Sequence, residues 1–296
     1  RGASAGGTGG VMTPLRGLLL ALSGTLLAML ALMVDASAQQ RGIALDQLKS
    51  GREFLGAELR AMQDDDFSNP GLLWVERGQV LWRAQPASAK NVGAQPASLN
   101  GGAKPQSCAG CHGELSGATS SMRGVAARYP AIDRASGRLF NLEDRIRDCR
   151  SQRQGQPAPA FESEELLSLT AALSHASRGI PIQVRIDGAA KPAFEAGQKL
   201  FYQRIGQLNL SCAHCHEASW GRTLYAERIS QGHPNAHPIY RLDWQNLGSL
   251  ERRLRACFFG IRAALPAFGS SELRELSLFL AWRAQGVEIE APGVRR

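Results

Sequence analysis

The chain has 296 residues, 44% of them hydrophobic and 20% charged, with a net charge of +8 at neutral pH. That length buries a sizeable core and suggests two domains. The basic excess is spread as Arg over both halves without a Lys/Arg run, which points to anionic surfaces or small oxyanions as partners and away from nucleic acid.

Taken in order, Met12 to Arg16 is a short positive start and Gly17 to Val34 an apolar run. Ala36-Ser37-Ala38 then supplies the small residues of a cleavage site. Residues 1–38 read as a secretory signal peptide cut after Ala38, with residues 1–11 lying upstream of a plausible start at Met12. Closeness of the small-residue site to the apolar run disfavours an uncleaved anchor, so no membrane span is expected after cleavage and the periplasm is the expected location. Gln39–Asp66 carries apolar residues at helical intervals and reads as an N-terminal helical extension. Asn69-Pro70-Gly71 punctuates, Leu72–Ala84 reads as a helix, and the Ala/Ser/Gly/Asn/Pro-rich residues 86–106 read as a surface loop.

Cys108-Ala109-Gly110-Cys111-His112 is a Cys-x-x-Cys-His pentad, and Cys212-Ala213-His214-Cys215-His216 repeats it. Two thiols one helical turn apart suit covalent attachment to porphyrin vinyl groups, and the adjoining imidazole reaches the iron. A single pentad could also be a zinc knuckle or a dithiol; two in an exported chain point to two covalently bound haem c groups. Cys108, Cys111, Cys212 and Cys215 are the expected attachment residues, and His112 and His216 the expected iron ligands.

Around the pentads the halves match. Gly78-Gln79-Val80-Leu81-Trp82 corresponds to Gly197-Gln198-Lys199-Leu200-Phe201. The stretch Leu142 to Cys149 corresponds to Leu250 to Cys257, and Ser163 to Ile182 corresponds without gaps to Ser270 to Ile289. No run shows convincing strand alternation. The expectation is an all-α fold of two cytochrome c-type domains related by an internal pseudo-repeat, over residues 39–182 and 183–296.

The second axial ligand sets a haem's potential and reactivity. After residue 38 only Met62 and Met122 remain; Met62 precedes its pentad, Met122 follows His112 closely, and the second half has none. Cys149 and Cys257 occupy equivalent places in the repeat, so they should lie apart and each ligate iron as thiolate rather than form a disulfide. His233 and His237, in a Gly/Pro/Asn loop, are weaker alternatives for the second haem; His175 reads as a packed helix residue, and His214 has no assigned role. Arg252, Arg253, Arg255 and Arg262 crowd Cys257, and on one helix they cannot all face it. Arg253, one turn before Cys257, is the first candidate to receive an anion and Arg262 the second.

These residues resemble the SoxA family, the dihaem cytochrome subunit of the bacterial SoxAX complex. The resemblance rests on Asp65-Asp66-Phe67 with Asn69-Pro70-Gly71, Trp74 to Gly78, the first pentad, Cys149-Arg150, Ser177-Arg178-Gly179, Gly232-His233-Pro234, Pro238-Ile239-Tyr240-Arg241 and Cys257. It implies that Cys257 is both haem ligand and catalytic sulfur, found as a persulfide in such proteins. It also implies an L-cysteine S-thiosulfotransferase that joins thiosulfate oxidatively to a cysteine of a SoxYZ-like carrier, passing electrons to a SoxX-like monohaem subunit. The competing reading is a dihaem electron carrier in which both cysteines only ligate; a dihaem peroxidase would need an open iron face.

Overall fold

The computed structural model describes residues 2, 6, 42–86, 106–117 and 120–296. All but residues 2 and 6 of the predicted signal peptide, and most of the predicted surface loop, lie outside the described residues. The chain divides into Arg1–Gln47, whose described part contains one 3-10 turn at Leu45–Gln47, and a compact unit from Leu48 to Arg296. No helix among the described residues is long and apolar enough to cross a membrane.

Among the described residues, nine α-helices build the larger unit: α1 (Ala57–Asp64), α2 (Leu72–Arg83), α3 (Cys108–His112), α4 (Leu142–Asp148), α5 (Glu164–His175), α6 (Lys191–Tyr202), α7 (Cys212–His216), α8 (Leu250–Gly260) and α9 (Ser271–Arg283). Polar caps start α5 and α9. Ser163 accepts from the Leu166 amide and Ser270 from the Leu273 amide, satisfying amides that the helix leaves open. Gly179 and Gly286, both at positive φ, turn the chain away beyond α5 and α9.

Two helix crossings set the core. A Cβ at Gly78 would lie 2.1 Å from the Ser168 carbonyl oxygen, and one at Gly197 would lie 2.0 Å from that of Glu275. Glycine is thus required on α2 and α6 for their backbones to touch α5 and α9. Around the first crossing Leu166, Leu169 and Leu173 pack with Trp82, Leu142 and Ile146. Around the second, Leu273, Leu276 and Leu280 pack with Phe194, Phe201 and Phe279. Each such leucine removed from water contributes about 2 kcal/mol.

The all-helical expectation needs one correction. Seven short strands are present among the described residues: β1 (Ala131–Ile132) with β2 (Leu139–Phe140), β3 (Thr223–Leu224) with β4 (Glu227–Arg228), and a three-stranded sheet of β5 (Ile239–Arg241), β6 (Asn246–Gly248) and β7 (Gly293–Arg295). β5 is central, antiparallel to β6 and parallel to β7, with Tyr240 opposite Leu247 and Val294. All three residues of β5 are buried, so no alternation marks it, and the other strands are too short to show a period.

Equivalent residues of the two matching stretches meet where the stretches face one another. Phe161 stacks on Phe268 with ring centroids 6.2 Å apart. Arg147 lies over Phe161 and Arg255 over Phe268, at 4.1 and 4.5 Å, and each guanidinium donates to a proline carbonyl, Pro159 and Pro266. Nearby, Arg274 pairs with Asp144 at 2.5 Å and the Asn141 amide donates to Glu251 at 2.9 Å. A cavity of about 80 Å³ opens beside them, with Glu143, Glu251 and His237 in its wall.

Candidate haem and sulfur site

In the second half, α7 and α8 bring four donors together. Ser211 caps α7; its hydroxyl lies 2.6 Å from the Nδ1 of His214, which also accepts from the Ser211 amide at 3.1 Å. His214 therefore fixes the start of the pentad helix, a role that pentad spacing alone does not disclose. His216 points its Nδ1 at the Ser230 carbonyl, 2.8 Å away. Gly232, at positive φ, lies flat against that ring, where a Cβ would stand 3.0 Å from Cγ. A histidine that donates from Nδ1 keeps Nε2 as the ligating nitrogen, with its orientation held by the outer partner.

Cys257 lies within hydrogen-bonding reach of His216, and with Nδ1 committed to Ser230 the facing atom is Nε2. The charges of Cys212 and Cys257, and of Cys215 and Cys257, act on one another. Cys212, Cys215, His216 and Cys257 could supply the thiol pair and the nitrogen and sulfur donors that a covalently held haem would need, and the donor set fits that group.

The thiols differ. Burial pushes Cys212 up to about 12. Burial also acts to raise Cys257, but the charge of Arg253, the His216 hydrogen bond and then Arg241 bring it down to about 7. Arg253 lies one turn before Cys257 on α8, and its guanidinium has no hydrogen bond or ion pair among the described residues. Arg252 is drawn off to Glu162 and the face of Trp244, 4.2 Å from the ring centroid, and Arg255 to Phe268. Arg262 follows the end of α8 at positive φ, is exposed, and is not among the groups that bear most on Cys257. Arg241, which helix spacing around Cys257 could not reveal, arrives from β5.

The two alternative histidines are engaged elsewhere. His233 is buried with its Nδ1 2.9 Å from the Lys49 carbonyl. His237 borders the cavity, and burial beside Arg295 and Arg253 pushes its pKa down to about 3, so it is neutral.

The first half repeats the parts with different surroundings. Ser107 caps α3, accepting from the Gly110 amide at 3.0 Å. Cys108 and Cys149 lie near enough to feel each other's charge, and Gln154 donates towards the Cys108 sulfur at 3.6 Å. Cys111 and His112 are exposed, and the His112 ring lies 5.8 Å from that of Trp82. At Cys149 the helix passes into a π turn, Cys149–Arg153. Burial raises the Cys149 thiol despite Arg145, because Arg145 is spent on Asp133 at 2.5 Å and Asp148 at 3.1 Å. His175, at the end of α5, is half-buried near Arg178 and belongs to helix packing, as expected.

This geometry has known relatives. The chain is 37% identical over 265 residues to the L-cysteine S-thiosulfotransferase subunit SoxA of Pseudaminobacter salicylatoxidans, covering 89% of this chain and 86% of that protein. It is 34% identical over 250 residues to the protein of the same description from Rhodovulum sulfidophilum, covering 84% and 81%. The chain belongs to the SoxA family. The SoxA/TsdA cytochrome c domain matches residues 98–182, the stretch that holds the first pentad. A crystal structure of SoxXA from P. pantotrophus superposes with a TM-score of 0.75 at 33% identity, covering 85% of this chain and 88% of that one. Covalently bound c-type haem is accordingly the cofactor of this mostly helical SoxA cytochrome.

Proposed function

We propose that this SoxA chain is the dihaem subunit of a periplasmic L-cysteine S-thiosulfotransferase, acting with a SoxX-like monohaem cytochrome on thiosulfate and a SoxYZ-like carrier. The observation that carries the proposal is the meeting of the Cys212–His216 pentad with Cys257, one turn after an Arg253 that is unpaired among the described residues. In this reading residues 1–38 are the signal peptide, and residues 39–182 and 183–296 are two cytochrome c units related by duplication. The matching glycine crossings at Gly78 and Gly197 and the matching Arg-over-Phe contacts support it. Cys108 and Cys111 would hold the first haem with His112 and Cys149 as axial donors; Cys212 and Cys215 would hold the second with His216 and Cys257.

The net reaction joins the outer sulfur of thiosulfate to the carrier's cysteine sulfur. One S–S bond forms, the carrier S–H bond breaks, one proton goes to solvent, and two electrons are released. Haem, when bound, supplies one-electron acceptance and a route for those electrons to the SoxX-like subunit. Cys257 keeps a polarisable sulfur at the reacting position, and its lowered pKa favours the anionic form near neutrality. Arg253 attracts the dianionic substrate through charge-assisted hydrogen bonds, and Arg262, on the exposed side, is the second candidate for meeting it as it arrives.

The test is mass spectrometry of the purified SoxX-containing complex after exposure to thiosulfate and carrier. The expected result is extra sulfur on the Cys257 peptide and a thiosulfonate adduct on the carrier. Cys257→Ala should lower carrier modification at least about 100-fold, whereas Cys149→Ala should retain most of it. A complex that modifies the carrier equally well without Cys257 would leave this chain an electron carrier.

A further inference from the structure

The junction between the two matching stretches holds titratable residues that the reaction leaves unused. Glu143 and Glu251 occupy equivalent places in the repeat, in the first turns of α4 and α8, and both line the cavity of about 80 Å³ together with His237. Their surroundings differ. Glu251 is 3% exposed, and its two oxygens accept from the Asn141 side chain at 2.9 Å and the Gly269 amide at 2.7 Å. Glu143 has no side-chain partner among the described residues. Burial raises Glu251 to about 7 against the pull of the Gly269 bond, and raises Glu143 further, to about 8, with the charges of Glu251, Asp144 and Glu162 adding to the rise. Of the other charged groups there, Asp144 is held by Arg274 and Glu162 faces Arg252, while Tyr129 accepts from Arg145. Among the described residues no cation is left over for Glu143, so the pair sheds its last proton late and Glu143 is the member that keeps it.

His237 supplies the complementary group. Its Nδ1 lies 3.3 Å from the Pro234 carbonyl, which can only accept, so Nδ1 carries the proton and Nε2 is left as an acceptor. That Nε2 is buried without a partner among the described residues. A buried acceptor is costly unless water meets it, and the cavity has room for about three water molecules. A protonated Glu143 donates, the water bridges, and Nε2 accepts.

The two glutamates stand six residues before Cys149 and Cys257, each about 9 Å along its own helix from the cysteine. We infer that the cavity is a water-filled proton site shared by Glu143, Glu251 and His237, which takes up a proton from solvent when either haem is reduced and returns it on oxidation. The added electron makes the neighbouring thiolate end of the helix more negative, and that charge raises the proton affinity of Glu143. Only the O–H bond of one carboxyl forms or breaks, and the electron is one of those released by thiosulfate oxidation. Linkage is reciprocal, so a proton at the junction raises the potential of both haems, and one site couples the two halves. The inference rests on the reading in which Cys149 and Cys257 are axial donors.

The experiment uses the haem-loaded chain with its monohaem partner, as wild type, Glu143→Gln and Glu251→Gln. Redox titrations followed by visible spectra and EPR give the midpoint potentials of this chain's haems at a series of pH values either side of neutrality. In wild type the potentials should fall as pH rises through about 8. The electron equilibrium should change about three- to tenfold across the step, about 30–60 mV at 59 mV per decade. Glu143→Gln should remove the step and hold the potentials near the low-pH wild-type values at every pH. Glu251→Gln should move the step to lower pH, because the repulsion on Glu143 is relieved. Wild-type potentials that do not vary with pH overturn the site, as does a step that persists in Glu143→Gln, which belongs instead to the haem carboxylates. Should Glu143→Gln fail to load haem, the Glu251→Gln step decides, and a step left where it is in wild type overturns the site. If the step is lost in Glu143→Gln but wild type modifies no carrier, the proton site stands and the transferase reading alone fails.

Discussion

Cys149 and Cys257 occupy the same place in two matching stretches, yet their thiols are driven in opposite directions. Burial acts on both. The difference lies in the arginine one turn earlier. In the first half that residue, Arg145, is locked to Asp133 and Asp148, and Asp148 adds negative charge next to the cysteine. In the second half Arg253 is unpaired among the described residues, the neighbour is Ala256, and the charge of Arg241 acts from the sheet. One scaffold thus surrounds two equivalent cysteines with opposite electrostatics. What separates them is acidic residues around an arginine, not the cysteine itself.

The comparison can be broken most forcefully at those arginines. Arg253→Ala should raise the KM for thiosulfate about ten- to a hundredfold, measured by turnover with the carrier. Arg145→Ala should leave that KM within about twofold while lowering the melting temperature, since it strips Asp133 of its partner. Arg262→Ala, exposed just beyond the end of α8, should raise the KM less than Arg253→Ala does, about two- to fivefold.

A smaller effect tests whether the two crossings are equivalent. Gly78→Ala and Gly197→Ala should each destabilise by about 1–3 kcal/mol, because each added methyl meets a backbone carbonyl. Thermal melts of the two variants should show losses of similar size; a loss confined to one would mean that only one crossing is close-packed. The smallest effect concerns the junction between the stretches. Burial pushes Glu143 up to about 8, with Glu251 and Asp144 adding to the rise. A carboxyl raised in the folded state gives stability that is full below its ordinary pKa and is lost as pH rises through the folded value. Glu143→Gln should therefore melt higher than wild type at pH 9 and at nearly the same temperature at pH 5.

The pentads, the matching places of Cys149 and Cys257 and the helix pairs are legible in the sequence because each is local. Thiol spacing, apolar stripes and a glycine at the same step of two helices all fall within a few turns. The sheet is not local: β5 has no alternating face, and one of its two neighbours comes from the end of the chain. Arg241 was visible only as part of a string shared with a family, with no sign that its charge acts on Cys257. Nor could a count of arginines near Cys257 show that Arg252 and Arg255 are taken by aromatic rings. Those pairings depend on Trp244 and Phe268, which helix periodicity does not relate to α8.

The parallel pairing of β5 with β7 also orders events in time. A chain that emerges N-terminus first presents Cys212 and Cys215 before Gly293–Arg295 exists to pair with Ile239–Arg241. Completing the sheet around Arg241 is therefore a late event in assembly, and removing Gly293–Arg295 should loosen that sheet while sparing the two glycine crossings.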